Sequence, residues 1–342
     1  MKIVIAGGGL VGLTLAALLR RRGMAPHVVE RMPAGVYVKR GFMLGHQGYD
    51  ALADLGLLDG ILAAGRPIGA MPDGRSAATA IEVGRVLAAL GEDVPVLHDH
   101  AVIALERDPS GRVVGAAVEG PEGARVIQSD LVVACDGFRS RVREMAGLEC
   151  AIEPLEEGKI EWMSPVPTEA SFDMAYLSNG AHIGMLSWPE GSFGWRTMDR
   201  SGREAALAPG IEAFAEAWSR LLPPSAEGVR GLTSTDELLY TEPELLSCPR
   251  WWVPGVVIIG DAAHFFGPET GASAGIGMAD AFALAEAVAT HRTDVDRACE
   301  AYEAWRGPAV RPYEAGDPSR GRLRGTSLAP GRPEERWPPP AS

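Results

Sequence analysis

The chain has 342 residues, 45 of them acidic and 32 basic, for a formal net charge of −13, and 46% of them are hydrophobic. That is the balance of a soluble globular protein long enough for two domains and an ample core. The acidity argues against a nucleic-acid binder and a surface docked on anionic lipid, both of which need a basic face, and no apolar run reaches the roughly 18 residues of a membrane span. Met1–Ala6 turns apolar at once and glycines follow, which is not the pattern of an export signal. Cys135, Cys150, Cys248 and Cys299 show no CxxC and no paired spacing, so neither a disulfide framework nor a zinc site is expected, and a reducing cytoplasm is the default location. Lys2, Lys39 and Lys159 are the three lysines, so candidates for lysine chemistry are few.

In chain order, Lys2–Ala6 is a continuous apolar run, the mark of a strand buried in a parallel sheet. Leu13 to Arg22 reads as a helix stopped by Gly23, and His27–Glu30 as a second strand. Ala101–Leu105, Val113–Val118 and Arg125–Ile127, separated by turn residues, predict an antiparallel meander. Leu131–Ala134 and Val256–Ile259 repeat the buried parallel pattern. From Glu161 to Arg196 the pattern changes to strands rich in Trp, Tyr, Met and His, a second and mainly antiparallel sheet. Helices follow at Ile211–Leu222, Gly275–Thr290 and Ala298–Trp305, and a Pro-, Gly- and Arg-rich tail over 325–342 reads as disordered.

The first strand runs into Gly7-Gly8-Gly9-Leu10-Val11-Gly12, a GxGxxG placed between a strand and a helix. Gly7 allows the tight turn, Gly9 the approach of a pyrophosphate, and Gly12 close packing of helix on strand. Glu30, at the end of the next strand, is placed to accept the hydroxyls of an unphosphorylated ribose, which favours FAD or NAD over NADP. Asp136 and Asp261 end the other two parallel strands, where ligands of such sheets bind. Helix capping is the competing role for both.

Gly7–Gly12 with Glu30-Arg31, then Ala134-Cys135-Asp136-Gly137, then Gly260-Asp261-Ala262-Ala263-His264, together resemble the FAD-dependent aromatic hydroxylases of the para-hydroxybenzoate hydroxylase type, as far as about Arg324. The resemblance implies an α/β fold. A Rossmann-like FAD-binding domain with a β-meander (1–160 and 249–324) is interleaved with a mainly antiparallel substrate domain (161–248), and 65–80 is a candidate to join the latter. It implies that Gly7, Gly9, Leu10, Val11, Gly12, Glu30 and Arg31 surround the ADP half of FAD. Arg40 would contact the flavin side, Val102 the adenine, Asp136 and Gly137 the pyrophosphate region, and Asp261 a ribityl hydroxyl. The loop Pro268–Gly277, with Gly271, Ala274 and Gly275, would face the flavin pyrimidine ring, with a helix N-terminus favouring negative charge there. Ser273 and Gly275 depart from the Gly and Asn of many relatives, and Ala80 from a Gln or Arg. The implied reaction is hydroxylation or epoxidation of an aromatic or other hydrophobic small molecule, using NAD(P)H and O2 through a flavin C4a-hydroperoxide. A reductase of the same fold is the alternative, and a homodimer stays open.

Several residues compete with this reading. Gly271-Ala272-Ser273-Ala274-Gly275 fits the GxSxG of serine hydrolases, but that elbow needs a strand running straight into it. His98-Asp99-His100 lacks a third metal ligand nearby. His46 is a weak candidate for a base that deprotonates a phenol, with a backbone contact as the competing role. Arg139, Arg141 and Arg143 are candidates for nicotinamide-nucleotide phosphates or for a solvated helix start, and Arg85 for compensating the departure at Ala80 or for the helix surface. Tyr176, His182, Trp188, Trp195 and Arg196 fall on the second sheet, as pocket lining or as core.

Overall fold

The apolar runs Ile3–Ala6, His27–Val29, Leu131–Ala134 and Val256–Ile258 pair in parallel, as strands buried on both faces do. The computed structural model describes residues 1–69, 76–177, 181–267 and 271–314; the tail expected over 325–342 and Pro268 lie outside them. Trp252–Val253 and Val96–Leu97 complete a six-stranded sheet with Ile3–Ala6 near its middle. Ala6, Ala134 and Ile258 stand side by side in register, so the residues that follow them share one edge. The helices Leu10–Arg21 and Ser273–Thr290 pack together over this sheet and bury their Leu and Ala faces in its core. The meander forms beside it from Ala101–Arg107, Val113–Gly120 and Gly123–Gln128.

The chain leaves this body through Ala151–Pro154 and returns through Glu244–Ser247, and these two strands pair antiparallel. Between them lies a five-stranded antiparallel sheet, in the order Phe172–Tyr176, His182–Trp188, Gly191–Asp199, Glu157–Ser164, Leu238–Thr241. It begins at Glu157, four residues ahead of the expected boundary, because the Lys159 strand is its fourth member. One face, with Ile160, Trp162, Ile183 and Met185, packs on Phe214 and Trp218 of the helix Ile211–Leu221. A small sheet of Gly41–Gly45, Arg66–Ile68 and Ala78–Glu82 bridges the two bodies. Its Ile68, Ala78 and Ala80 pack against Leu186, Trp188 and Phe193 of the five-stranded sheet.

One expectation is corrected. Cys150 and Cys248 form a disulfide. They stand one step beyond the Ala151↔Ser247 pair of the antiparallel ladder, and it is this pairing, not any sequence spacing, that brings them together. Cys135 and Cys299 are free thiols, and burial pushes the Cys299 thiol up to about 12.

Candidate active site

Beyond the carboxyl ends of the parallel strands opens a cavity of about 450 Å³. One wall is the dinucleotide end: Gly9, Leu10, Val11, Gly137, Asp261 and the start of the long helix at Ser273-Ala274. Gly7 takes φ +108°, and a Cβ there would sit 2.3 Å from the Cys135 carbonyl oxygen; a Cβ on Gly12 would collide with the Gly7 carbonyl. At Gly9 a Cβ would meet nothing within 4 Å, so the opening helix presents its N-terminus across open space. Glu30 is held in place by the Gly8 amide at 2.7 Å and the Met32 amide at 2.8 Å, one on each carboxylate oxygen, which leaves acceptor capacity for two hydroxyls. Ser273 Oγ is buried at the cavity edge without a hydrogen-bond partner among the described residues. An open helix N-terminus, a positioned carboxylate and an orphaned hydroxyl fit the pyrophosphate, ribose and ring of FAD.

Asp261 lines the cavity, and burial raises its carboxyl to about 6, against the pull of His264 and Arg40. Beneath it lies a closed ionic cluster that the sequence did not announce. Asp280, on the long helix, accepts from His264 Nε2 at 2.6 Å, Arg306 Nε at 2.7 Å and the Gly260 amide at 3.1 Å, all in the core. Burial opposes ionisation of Asp280, but His264 and Arg306 overcome it and hold the carboxyl below its ordinary value. The cluster pins the turn that carries Asp261.

The opposite wall is the other face of the antiparallel sheet, partly covered by the small sheet, and it is graded. Alternation puts Lys159 beside Thr197, His182 and Tyr176 on one rung, Glu161 beside Trp195, Gly184 and Met174 on the next, and Met163 beside Phe193, Leu186 and Phe172 on the third. The rungs run from polar to apolar. A Cβ on Gly184 would collide with the Trp195 indole, so the glycine lets the ring lie against the sheet. Glu161 bonds Lys159 Nζ and Arg40 Nη2, each at 2.6 Å and each on its own carboxylate oxygen. Arg40 arrives from the cofactor side, just ahead of the strand Gly41–Gly45. Burial, with the nearby Lys159 charge, lowers His182 to about 4, so the imidazole is neutral at pH 7.

Not every expected residue comes to this cavity. Asp136 accepts from Ser140 Oγ and from the amides of Arg141 and Val142, so its carboxylate caps a helix start, while Gly137 alone lines the cavity. Val102 is buried in the meander strand outside the cavity lining, and Arg31 is exposed. His46 approaches the Ala77 carbonyl at 3.4 Å and does not line the cavity. Gly275 packs against Gly45 and Gly48, one turn into the helix. Arg143 is buried and donates to the Ala262 carbonyl, Arg139 pairs with Glu244, and Arg85 with Glu190 at the surface. Of the second-sheet candidates His182 and Trp195 line the cavity, Tyr176 is exposed, and Trp188 is core. Ser273 opens a helix and makes no bond to a histidine, with His291 at the far end of the same helix, so the GxSxG match carries no hydrolase site. His98 and His100 bond backbone carbonyls, and no metal-holding cluster exists among the described residues. Lys159 and Glu161 were missed. Their signal was one of only three lysines, two residues from an acid within an apolar strand.

No described helix is long and apolar enough to cross a membrane. Residues 1–315 match the family model described as FAD binding domain. The chain is 27% identical over 350 residues to aurachin C monooxygenase/isomerase of Stigmatella aurantiaca, covering 94% of this chain and 89% of that protein. It is 27% identical over 320 residues to 2-heptyl-3-hydroxy-4(1H)-quinolone synthase of Pseudomonas aeruginosa, covering 83% and 80%. Its fold is that of Pseudomonas aeruginosa PqsL, solved in complex with 2-aminobenzoylacetate, with a TM-score of 0.80 at 21% identity over 92% of this chain and 94% of that one. With the dinucleotide wall and these likenesses in place, the chain belongs to the FAD binding domain family and is an FAD-dependent monooxygenase of the aromatic hydroxylase type.

Proposed function

We propose that the enzyme uses NAD(P)H and O2 to add one oxygen atom to an aromatic small molecule that lies between the flavin ring and the antiparallel sheet. The observation that carries this reading is one cavity with a dinucleotide-binding edge on one wall and Trp195, Phe172 and Phe193 on the other. FAD, when bound, accepts hydride and activates oxygen; the chain supplies binding, orientation and a dry pocket. Gly9 and the opening helix would hold the pyrophosphate, Glu30 the adenosine ribose, Asp261 a ribityl hydroxyl, and the first amides of the helix Ser273–Thr290 the pyrimidine edge of the ring. Trp195 and its neighbours orient the substrate ring and exclude water. The ligand named for PqsL and the quinolone in the named synthase's name are both ring compounds, which supports a ring-containing substrate.

Purified protein is expected to be yellow and to release FAD on denaturation. A panel of phenols, indoles and quinolones should contain a compound that stimulates both NAD(P)H oxidation and oxygen uptake and gains one oxygen in mass. Stimulated NAD(P)H oxidation without oxygen uptake would instead make the enzyme a reductase.

A further inference from the structure

The polar rung of the substrate wall has a chemistry that the oxygenation reading does not use. Lys159 is a buried ammonium on the floor of an apolar cavity, in a protein with two other lysines. The charged and titratable groups lining that cavity, among the described residues, are Lys159, Glu161, Arg40, His182, Asp261 and Cys135, the last a thiol whose proton burial retains. Asp261 belongs to the cofactor wall. His182 is neutral at pH 7, and burial keeps it so. Arg40 comes from the cofactor side with 43% of its side chain exposed, so water screens its charge. Lys159 therefore sets the sign of the rung farthest from the Phe172, Leu186 and Phe193 rung. An aromatic substrate laid along the wall has its ring over Trp195 and its apolar end over that third rung. Its remaining end meets the ammonium.

We infer that Lys159 anchors an acidic group of the substrate, a carboxylate or an ionised ring oxygen, and that the enzyme selects such aromatic acids over neutral molecules of the same shape. A hydrogen bond from a cation to an anion in a water-poor pocket is among the stronger polar contacts, and an ammonium serves it as a compact point charge. Glu161 tunes the same site. Its carboxylate holds Lys159 in place and also repels a second anion, so it limits affinity as well as setting geometry. This inference rests on the oxygenation reading only for where the ring lies.

The test uses holoenzyme and matched pairs, 2-aminobenzoate against 2-aminobenzamide and indole-3-carboxylate against indole-3-carboxamide, with binding read from the change in flavin absorbance and tryptophan fluorescence. The acid should bind about tenfold or more tighter than the amide in at least one pair. Lys159→Met should weaken the acid about tenfold or more and the amide less than about twofold. Glu161→Gln should tighten the acid several-fold and leave the amide unchanged, an outcome that a merely structural role does not produce. FAD content equal to wild type shows that each variant is folded. Amides that bind as tightly as their acids, a Lys159→Met loss shared equally by both, or an absence of binding by every acid would overturn the inference. Acid preference without oxygen insertion would leave the anchor standing and remove the oxygenation reading.

Discussion

Two buried carboxylates in this protein each sit between two basic side chains, yet they do different work. Asp280 lies between His264 and Arg306 with no exposure, and its remaining acceptor capacity goes to the Gly260 amide. Glu161 lies between Lys159 and Arg40, but its cluster opens on the cavity and one of its cations reaches water. The first cluster is closed and specifies where the Asp261 turn sits. The second is open: its ion pairs line the cavity. The surroundings, not the ion count, separate a structural cluster from a binding one.

The largest expected effect breaks the closed cluster. Asp280→Ala should cost about 3–5 kcal/mol of stability, because it leaves Arg306 buried without its partner. Denaturant unfolding checks this, and a loss below about 1 kcal/mol would show that the cluster is not closed. Next comes pH. His182 is held neutral by burial at about 4, below its unfolded value of 6.5. The unfolded chain therefore binds the proton first, and stability falls as pH drops from about 6.5 toward 4, by about 3 kcal/mol at 1.36 kcal/mol per unit. Asp261 acts in the opposite direction, since its raised carboxyl takes up a proton in the folded state first. The difference in stability between wild type and His182→Gln, followed across that range, isolates the histidine, and a pH-independent difference would refute its assignment.

For the open cluster, Glu161→Gln should cost only about 1–2 kcal/mol on the same denaturant scale, since cavity water and the exposed Arg40 soften the loss. A cost equal to that of Asp280→Ala would erase the contrast. Smallest of all, Arg85→Ala removes a surface pair with Glu190 in which both side chains are at least half exposed. It should shift stability by less than about 1 kcal/mol and leave FAD binding intact, as a melting curve and flavin content will show.

The cofactor end was legible in the sequence because its constraints are local. Gly7 needs positive φ, Gly12 needs contact with the Gly7 carbonyl, and Glu30 needs a strand end, and each is a few residues from the others in chain or ladder. The substrate wall was not legible, because its meaning lies in register. Lys159 and Glu161 look like the alternation of an ordinary half-exposed strand until Trp195 and His182 are known to share their rungs. Asp280 was hidden in an Ala-rich helix, and its partners lie 16 and 26 residues further off along the chain. Asp136 shows a different case: the motif was legible with two roles for its carboxylate, and the capping of the next helix is the one its hydrogen bonds display. The cysteine pair, 98 residues apart, carried no spacing signal at all.

That pair has a consequence for how such a protein can change over time. The chain enters the substrate sheet by Ala151–Pro154 and leaves it by Glu244–Ser247, adjacent strands of one ladder, joined at their base by Cys150–Cys248. The antiparallel wall of the cavity hangs from two neighbouring points. A recombination event, or an engineer, could exchange the whole recognition cassette between those strands and leave the flavin machinery with the same two attachment points.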